Sequence, residues 1–253
     1  MTKPLVSFQN AGKIYKNGTV ALAGLDLDVR GSEFLTLLGP SGCGKSTILR
    51  LIAGLDNLSS GALARGFSLD RGKIGFVFQD PTLMPWASVF DNVFLPLRLR
   101  GSPRRKATTA VEEALALVGL ASSGRAFPRE LSGGMRMRAS IARALVLRPL
   151  VLLMDEPFAA LDEITRFKLN DDLLALQGEL GTTIVFVTHS VFESVYLSTR
   201  IAVIAGGPGS VAAEIAIDAP SVRGTAFRTS SVYAHYCAQA SRALQGAKDE
   251  DLT

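Results

Sequence analysis

The stretch Gly39-Pro40-Ser41-Gly42-Cys43-Gly44-Lys45-Ser46-Thr47 decides the fold, because it fits the G-x-x-x-x-G-K-[ST] phosphate-binding pattern at every required position. The apolar run 34–38 before it predicts a buried strand, and residues 47–53 predict the helix after it. Its three glycines let the backbone fold around an anion, at the positive end of a helix that begins at Lys45. We expect the Lys45 ammonium to reach the β- and γ-phosphates and the Ser46 hydroxyl to ligate Mg²⁺. The alternative, a glycine-rich turn that binds nothing, is disfavoured by this strand–loop–helix context, so the whole stretch predicts a bound nucleoside triphosphate.

The composition is typical of one α/β domain with room for an inserted subdomain, since 47% of the 253 residues are hydrophobic. No apolar run reaches the roughly 18 residues of a membrane span, and residues 1–10 lack the features of a signal peptide. Two cysteines are too few for a disulfide framework, so we expect a reducing cytoplasm. The net charge is +4, but the basic residues are scattered and densest at 103–106, so no nucleic-acid partner is expected.

The hydrophobic pattern along the chain predicts alternating strands and helices, and hence a mostly parallel sheet. The first two predicted strands form an antiparallel N-terminal sheet. Predicted strands lie at 6–9, 21–29, 34–38, 74–78, 151–154, 182–188, 201–205 and 211–217, with turns at 10–12 and 17–18 and a polar stretch at 55–72. Predicted helices lie at 47–53, within 82–137 (notably 107–120), and at 138–147, 163–180, 192–197 and 231–244.

A pair of carboxylates follows the predicted strand 151–154. Asp155 and Glu156 therefore reach the carboxyl edge of the sheet, where open α/β folds bind their ligands. Asp155 is suited to hold Mg²⁺, and Glu156 is suited to polarise the attacking water as a general base. The alternative, two solvated acids at a strand end, is disfavoured because a phosphate-binding loop occurs in the same chain.

The segment Leu131-Ser132-Gly133-Gly134-Met135 brings a family resemblance to light. Taken alone, it is only a helix N-cap with glycines. Taken with the other motifs, it resembles the ATPase subunit of an ATP-binding cassette transporter, over residues 4–217 with all motifs in order. The residues that carry this resemblance are Tyr15, the loop 39–47, Gln79, Leu131-Ser132-Gly133-Gly134-Met135, Asp155-Glu156-Pro157, Ala160-Leu161-Asp162 and His189.

The resemblance implies a P-loop NTPase (RecA-like) core with an antiparallel N-terminal β subdomain and an inserted α-helical subdomain. The implied ATPase domain covers residues 1–219, with the helical subdomain at about 82–137, and residues 220–253 form a short C-terminal helical tail. The implied reaction is hydrolysis of ATP with Mg²⁺.

The resemblance also implies one role each for four residues outside the segments 39–47 and 131–135. Tyr15 would stack on adenine, although an ordinary edge tyrosine is the alternative. Gln79 would contact Mg²⁺ and the attacking water, and His189 would contact the γ-phosphate. Asp162 would cross the interface of a dimer.

A head-to-tail homodimer is the assembly that the resemblance implies. In it, Ser132, Gly133 and Gly134 would cap the γ-phosphate that the partner's loop 39–47 holds. Two-fold symmetry would then create two equal sites, each completed by both copies of the chain.

The beginning of the helical insertion indicates what kind of cassette this is. Met84, Trp86 and Phe90 are suited to form an apolar groove for a partner's helix, and packing within the subdomain is the alternative. The sequence here, with the run after Thr188, resembles the bacterial nitrate/sulfonate/taurine importer branch, including relatives that carry thiamine precursors of the hydroxymethylpyrimidine type. The resemblance implies an integral-membrane permease, indirectly a solute-binding protein, and a peripheral place on the cytoplasmic face of the cell membrane.

Three departures from the family pattern leave hydrolysis as the expectation. Met135 and Met137 stand where many cassettes have Gln, and Ser190 stands where many have Asp.

Cys43 lies near a lysine and a helix start, so we also expect a lowered thiol pKa and maleimide labelling that ATP blocks.

Other function classes fit the sequence less well. A DNA-repair ATPase would need a long coiled-coil insertion, a translation factor usually has two cassettes, and a small GTPase would need an Asn-Lys-x-Asp motif. The sequence leaves open the solute and whether the permease belongs to an importer or an exporter.

Overall fold

The computed structural model describes residues 3–70, 72–220 and 223–249. The strands are β1 (Val6–Ile14), β2 (Val20–Val29), β3 (Phe34–Leu38), β4 (Ser60–Arg65), β5 (Ile74–Val77), β6 (Val151–Asp155), β7 (Thr183–Thr188), β8 (Arg200–Ile204) and β9 (Val211–Ala216). The helices are α1 (Lys45–Ile52), α2 (Val89–Leu99), α3 (Arg104–Leu117), α4 (Gly133–Leu145), α5 (Glu163–Leu180), α6 (Val191–Leu197), α7 (Thr225–Arg228) and α8 (Ser231–Asp249). The chain divides into two compact units, the first made of Met1–Ser68 and Gln177–Thr253 and the second of Leu69–Leu176.

An antiparallel sheet of order β2-β1-β4 lies in the first unit. The predicted turn at 10–12 is wrong, because β1 continues through it to Ile14. Asn10 adopts a φ of 45°, and the pairing of β1 with β2 shifts register between Phe8 and Ala11. The turn-forming residues therefore produce a β-bulge within a long strand rather than the end of a short one.

The strand β4 was not predicted, since it falls in the stretch 55–72 that reads as a polar loop. Its sequence, Ser-Gly-Ala-Leu-Ala-Arg, has no β-branched or aromatic residue, so it lacks the usual strand signal. It forms because β1 offers it a partner, with Phe8 opposite Leu63.

The core of the first unit contains the strand order β7-β3-β8-β9. β3 runs parallel to both β7 and β8, and β9 is antiparallel to β8. Every residue of β3, β7 and β8 is buried, as expected for parallel strands covered on both faces. Leu38 pairs with Thr188, so the segments that follow β3 and β7 leave the sheet side by side.

The second unit combines the parallel pair β5 and β6 with the helices α2, α3 and α4. The helical pattern predicted from residue 82 begins only at Val89, because Ser88 accepts a hydrogen bond from the Asp91 N–H at 3.1 Å and caps α2 there. α4 begins at Gly133 with Ser132 as its N-cap, as the segment Leu131-Ser132-Gly133-Gly134 predicts.

The C-terminal segment packs within the first unit, where α8 contacts α6 and β8. α8 extends to Asp249, beyond the predicted end at residue 244. Arg223 links this segment to α6, since its guanidinium donates to the Ser198 carbonyl at 2.9 Å. In the part of the chain that the structure describes, no helix combines the length and the apolar character of a membrane span. The predicted α/β class, with a mostly parallel core sheet, an antiparallel N-terminal sheet and added helices, is confirmed.

Candidate nucleotide-binding site

Residues 39–47, hereafter the phosphate loop, connect the buried strand β3 to α1. A Cβ added at Gly39 would lie 2.7 Å from the Ile204 carbonyl oxygen, and one at Gly44 would lie 2.5 Å from the Ala21 carbonyl oxygen. Gly44 also has a φ of 90°, which favours glycine. Among the described residues no side chain caps the start of α1, and the positive end of its dipole favours an anion at the loop.

Lys45 gives the loop a buried positive charge. The residue is only 4% exposed, and its Nζ donates to the Gly39 carbonyl at 2.9 Å and to the Pro40 carbonyl at 2.6 Å. Within the described residues no carboxylate forms an ion pair with this ammonium. A buried charge without a counter-charge is costly, and a bound phosphate would supply the missing charge. The loop therefore fits a polyphosphate.

Tyr15 lies beside the phosphate loop, because its hydroxyl is 3.1 Å from Thr47 Oγ1. The Lys13 ammonium lies over the Tyr15 ring, 5.1 Å from its centroid, and is held by the Asp56 carboxylate and, at 2.7 Å, by the Asn57 carbonyl. The hydrogen bond from Lys13 lowers the pKa of the Asp56 carboxyl. The structure thus brings Tyr15 to the loop, while stacking on adenine stays a prediction.

His189 follows β7 at the strand end next to the phosphate loop. The Thr188 hydroxyl before it donates to Glu193 Oε2 at 2.6 Å and accepts from the Ser190 N–H at 3.0 Å. Ser190 caps α6, since its Oγ accepts from the Glu193 N–H at 3.3 Å. The departure from Asp to Ser at this position therefore keeps the helix cap.

Glu193 is the residue near the site that the sequence reasoning missed. It is 7% exposed, and its carboxylate holds the hydroxyl directly before His189. The signal was present, because Ser190-x-x-Glu193 is a capping-box pattern.

In the second unit, the predicted metal and catalytic residues follow two neighbouring parallel strands. Val77 of β5 pairs with Met154 of β6, so Gln79, Asp155 and Glu156 belong to the same edge. Glu156 has a φ of 45°, a conformation that costs about 1–3 kcal/mol for a residue other than glycine and is concentrated at functional sites. This edge is therefore a candidate for the catalytic carboxylates.

The segment 132–134 begins α4, and Ser132 Oγ caps the helix by accepting from the Met135 N–H at 3.3 Å. A Cβ added at Gly134 would lie 2.6 Å from Thr165 Cγ2, so the start of α4 packs closely against the start of α5. Asp162 lies at that contact, and its carboxylate accepts from the Thr165 N–H at 3.0 Å, which lowers its pKa. The structure thus brings together two motifs that the resemblance assigns to a dimer interface.

The structure contradicts the prediction made for the pKa of the Cys43 thiol. Its side chain is buried, and burial raises the pKa of the thiol, an effect that the neighbouring Lys45 ammonium only partly offsets. The predicted lowering of this pKa is wrong, because desolvation outweighs the charge and the helix start.

Comparison with known proteins decides the family. Residues 22–159 match the family model described as ABC transporter. The chain belongs to the ABC transporter family. The predicted P-loop NTPase core and the predicted ATPase subunit of a cassette transporter are thereby confirmed, and ATP is the nucleotide.

Relatives of this ABC ATPase match most of the chain. An aliphatic sulfonates import ATP-binding protein of Xanthomonas axonopodis is 44% identical, covering 84% of this chain and 86% of the relative. A protein of the same name in Pseudomonas syringae is 40% identical, covering 98% and 99%. The solved structure of MJ0796, described as a dimeric bacterial ABC transporter cassette, has a TM-score of 0.72 at 33% identity, covering 87% and 99%.

Proposed function

We propose that this ABC ATPase powers an importer for a small organic anion of the aliphatic sulfonate class. The relatives from Xanthomonas and Pseudomonas support the proposal by their names and by the length of chain that they match. The nitrate and thiamine-precursor alternatives are less favoured on the same basis. The relatives give no support to an exporter, DNA-repair or translation-factor function.

The buried Lys45 ammonium is the observation that supports ATP binding in this proposal. The phosphate loop binds the triphosphate, and Lys45 exchanges loop carbonyls for phosphate oxygens as ATP enters. Ser46, Gln79 and Asp155 offer hydroxyl, amide and carboxylate oxygens, which are ligands that Mg²⁺ prefers. When bound, Mg²⁺ would neutralise charge on the phosphates.

Hydrolysis needs a base for the attacking water, and we assign Glu156 to that role. Its carboxylate would accept a proton from the water as the water oxygen bonds to the γ-phosphorus, while the bond from that phosphorus to the β–γ bridging oxygen breaks and ADP leaves. His189, at the strand end beside the phosphate loop, would hold a γ-phosphate oxygen, and Gln79 would orient the water. Tyr15 would stack on the adenine.

A homodimer would complete each site. Ser132, Gly133 and Gly134 would present the positive end of α4 to the γ-phosphate bound by the partner subunit. Asp162 lies against that helix start, so both motifs would meet the partner together. ATP then joins the two copies, and hydrolysis removes the contact that joins them.

The permease would dock on the second unit. Trp86 is 77% exposed at a groove of about 430 Å³ that Met84, Phe94 and Leu95 also line, a surface suited to a helix of a membrane partner. Phe90 does not line this groove but packs beside it, with its ring centroid 6.3 Å from that of Phe94 and 4.6 Å from the Arg104 guanidinium. We propose a peripheral position on the cytoplasmic face of the membrane, with a solute-binding protein delivering the anion to the permease.

Uptake tests this function. A strain whose copy carries Lys45→Ala should lose uptake of radiolabelled taurine or ethanesulfonate, and the purified variant should lose ATPase activity. Lys106→Ala, an exposed lysine of α3, is the matched control and should change neither. Normal sulfonate uptake with Lys45→Ala contradicts the proposal. If Lys45→Ala abolishes nitrate uptake and leaves sulfonate uptake unchanged, the importer function is supported and the sulfonate class is contradicted.

A further inference from the structure

The turn 205–210 between β8 and β9 lies directly against the phosphate loop. Its ends are closed by a hydrogen bond from the Ala205 N–H to the Ser210 carbonyl at 2.9 Å. Gly207 is exposed in this turn and has no atom within 4 Å of an added Cβ, whereas Gly209 is buried. Of the three glycines in the turn, Gly207 is thus open and Gly209 is tightly enclosed.

Backbone hydrogen bonds fix the enclosed end of the turn to β2. The Gly209 N–H donates to the Ala21 carbonyl at 3.0 Å, and the Ala23 N–H donates to the Gly209 carbonyl at 3.3 Å. The Ala21 carbonyl oxygen is also the atom that lies 2.5 Å from a Cβ added at Gly44. One carbonyl of β2 thus touches both the turn and the phosphate loop.

Gly209 also meets the phosphate loop itself. A Cβ added at Gly209 would lie 2.2 Å from the Cys43 carbonyl oxygen, a backbone atom that cannot rotate away. Because the peptide unit is planar, displacing the Cys43 carbonyl also displaces the Gly44 N–H, at the start of α1. A side chain at Gly209 would therefore move one of the amides that surround the phosphates.

We propose that the turn 205–210 positions the phosphate loop and that Gly209 is a positioning residue for ATP binding, a role that rests on the proposed nucleotide site. In this role Gly209 acts on the nucleotide through the Cys43–Gly44 peptide. The space left by its missing Cβ sets how closely β2 and the loop approach each other.

Nucleotide affinity tests the proposal, with Gly209→Ala compared against Gly207→Ala in the same turn. A loop amide bonded to a charged phosphate contributes enough that its displacement should weaken ATP binding about tenfold or more. We expect Gly209→Ala to raise the Kd and the KM for ATP by that factor. We expect kcat at saturating ATP to stay near that of Gly207→Ala, and we expect the clash of the new Cβ to lower the nucleotide-free melting temperature as well. A structural role alone would lower the melting temperature and leave the affinity of the folded protein unchanged.

Hydrogen exchange of the unmutated protein gives a second measurement, which holds if Gly209→Ala does not fold. ATP binding should slow exchange of the Ala205 and Gly209 amides, because a turn that positions the loop is itself held more firmly when the loop is filled. Equal affinity of the two variants, or unchanged exchange of the turn on saturation with ATP, overturns the proposal. If the unmutated protein binds no ATP, the nucleotide site itself has failed, which is a separate result.

Discussion

Gly134 offers a sharp test of the packing between two interface motifs, through the substitution Gly134→Ala. In a helix, Ala is favoured over Gly by about 1 kcal/mol, so α4 alone would be stabilised. However, the new Cβ would lie 2.6 Å from Thr165 Cγ2, and Thr is a stiff β-branched residue that cannot turn aside freely. Overpacking of this kind costs about 1–3 kcal/mol. The two effects leave a net loss of about 1 kcal/mol.

Thermal unfolding measures this loss, with Gly178→Ala as the matched control. Gly178 lies in α5 with no atom within 4 Å of an added Cβ, so its substitution should gain about 0.5–1 kcal/mol. For a chain of this size, 1 kcal/mol shifts the melting temperature by about 2–4 °C. Gly134→Ala should therefore melt below the unmutated protein, and Gly178→Ala at or above it.

A double variant isolates the contact. Thr165→Ser removes the offending methyl group and keeps the hydroxyl, so Gly134→Ala combined with Thr165→Ser should recover the lost stability. Equal melting temperatures for Gly134→Ala and Gly178→Ala, or a double variant whose losses simply add, would refute the packing argument.

Two further predictions concern buried groups. Arg200→Met should lower the free energy of unfolding by about 3–5 kcal/mol, because it leaves the Glu33 carboxylate buried without its partner. The control Arg148→Met removes an exposed ion pair and should cost about 1 kcal/mol or less, as measured by thermal unfolding. Similar losses for both variants would contradict the stabilising role of the buried pair. Burial raises the thiol pKa of both Cys43 and Cys237, so the reactive thiolate is scarce at pH 7 and becomes common only above pH 9. Ellman's reagent should therefore detect neither thiol at pH 7 in the folded protein, with or without ATP, and both after denaturation. One fast equivalent in the folded protein would contradict the burial of one of the two thiols.

Local patterns that coincide with the tertiary structure could be predicted from the sequence. The bounds of α5 were predicted to the residue, because a long helix interior and polar flanks mark both ends. The phosphate loop was identified because its glycines, lysine and flanking strand are all required by one ligand. Long helices and ligand-binding motifs can thus be predicted from the sequence alone.

Features that depend on distant partners could not be predicted. β4 has no strand signal of its own and forms only against β1. The sign of the Cys43 pKa shift depends on burial, whereas the sequence shows only the neighbouring lysine. The contact of Gly209 with Cys43 joins residues far apart in the chain, so no local sequence pattern predicts it.

The central claim, that ATP joins two copies of this chain until Glu156 promotes hydrolysis, is tested most directly by one measurement. Light scattering after size exclusion should show that Glu156→Gln is a dimer in saturating MgATP and a monomer in ADP, with no turnover. Glu112→Gln, an exposed acid of α3, should hydrolyse ATP at the unmutated rate. A Glu156→Gln protein that stays monomeric in saturating MgATP, or that hydrolyses ATP at the unmutated rate, would contradict the account.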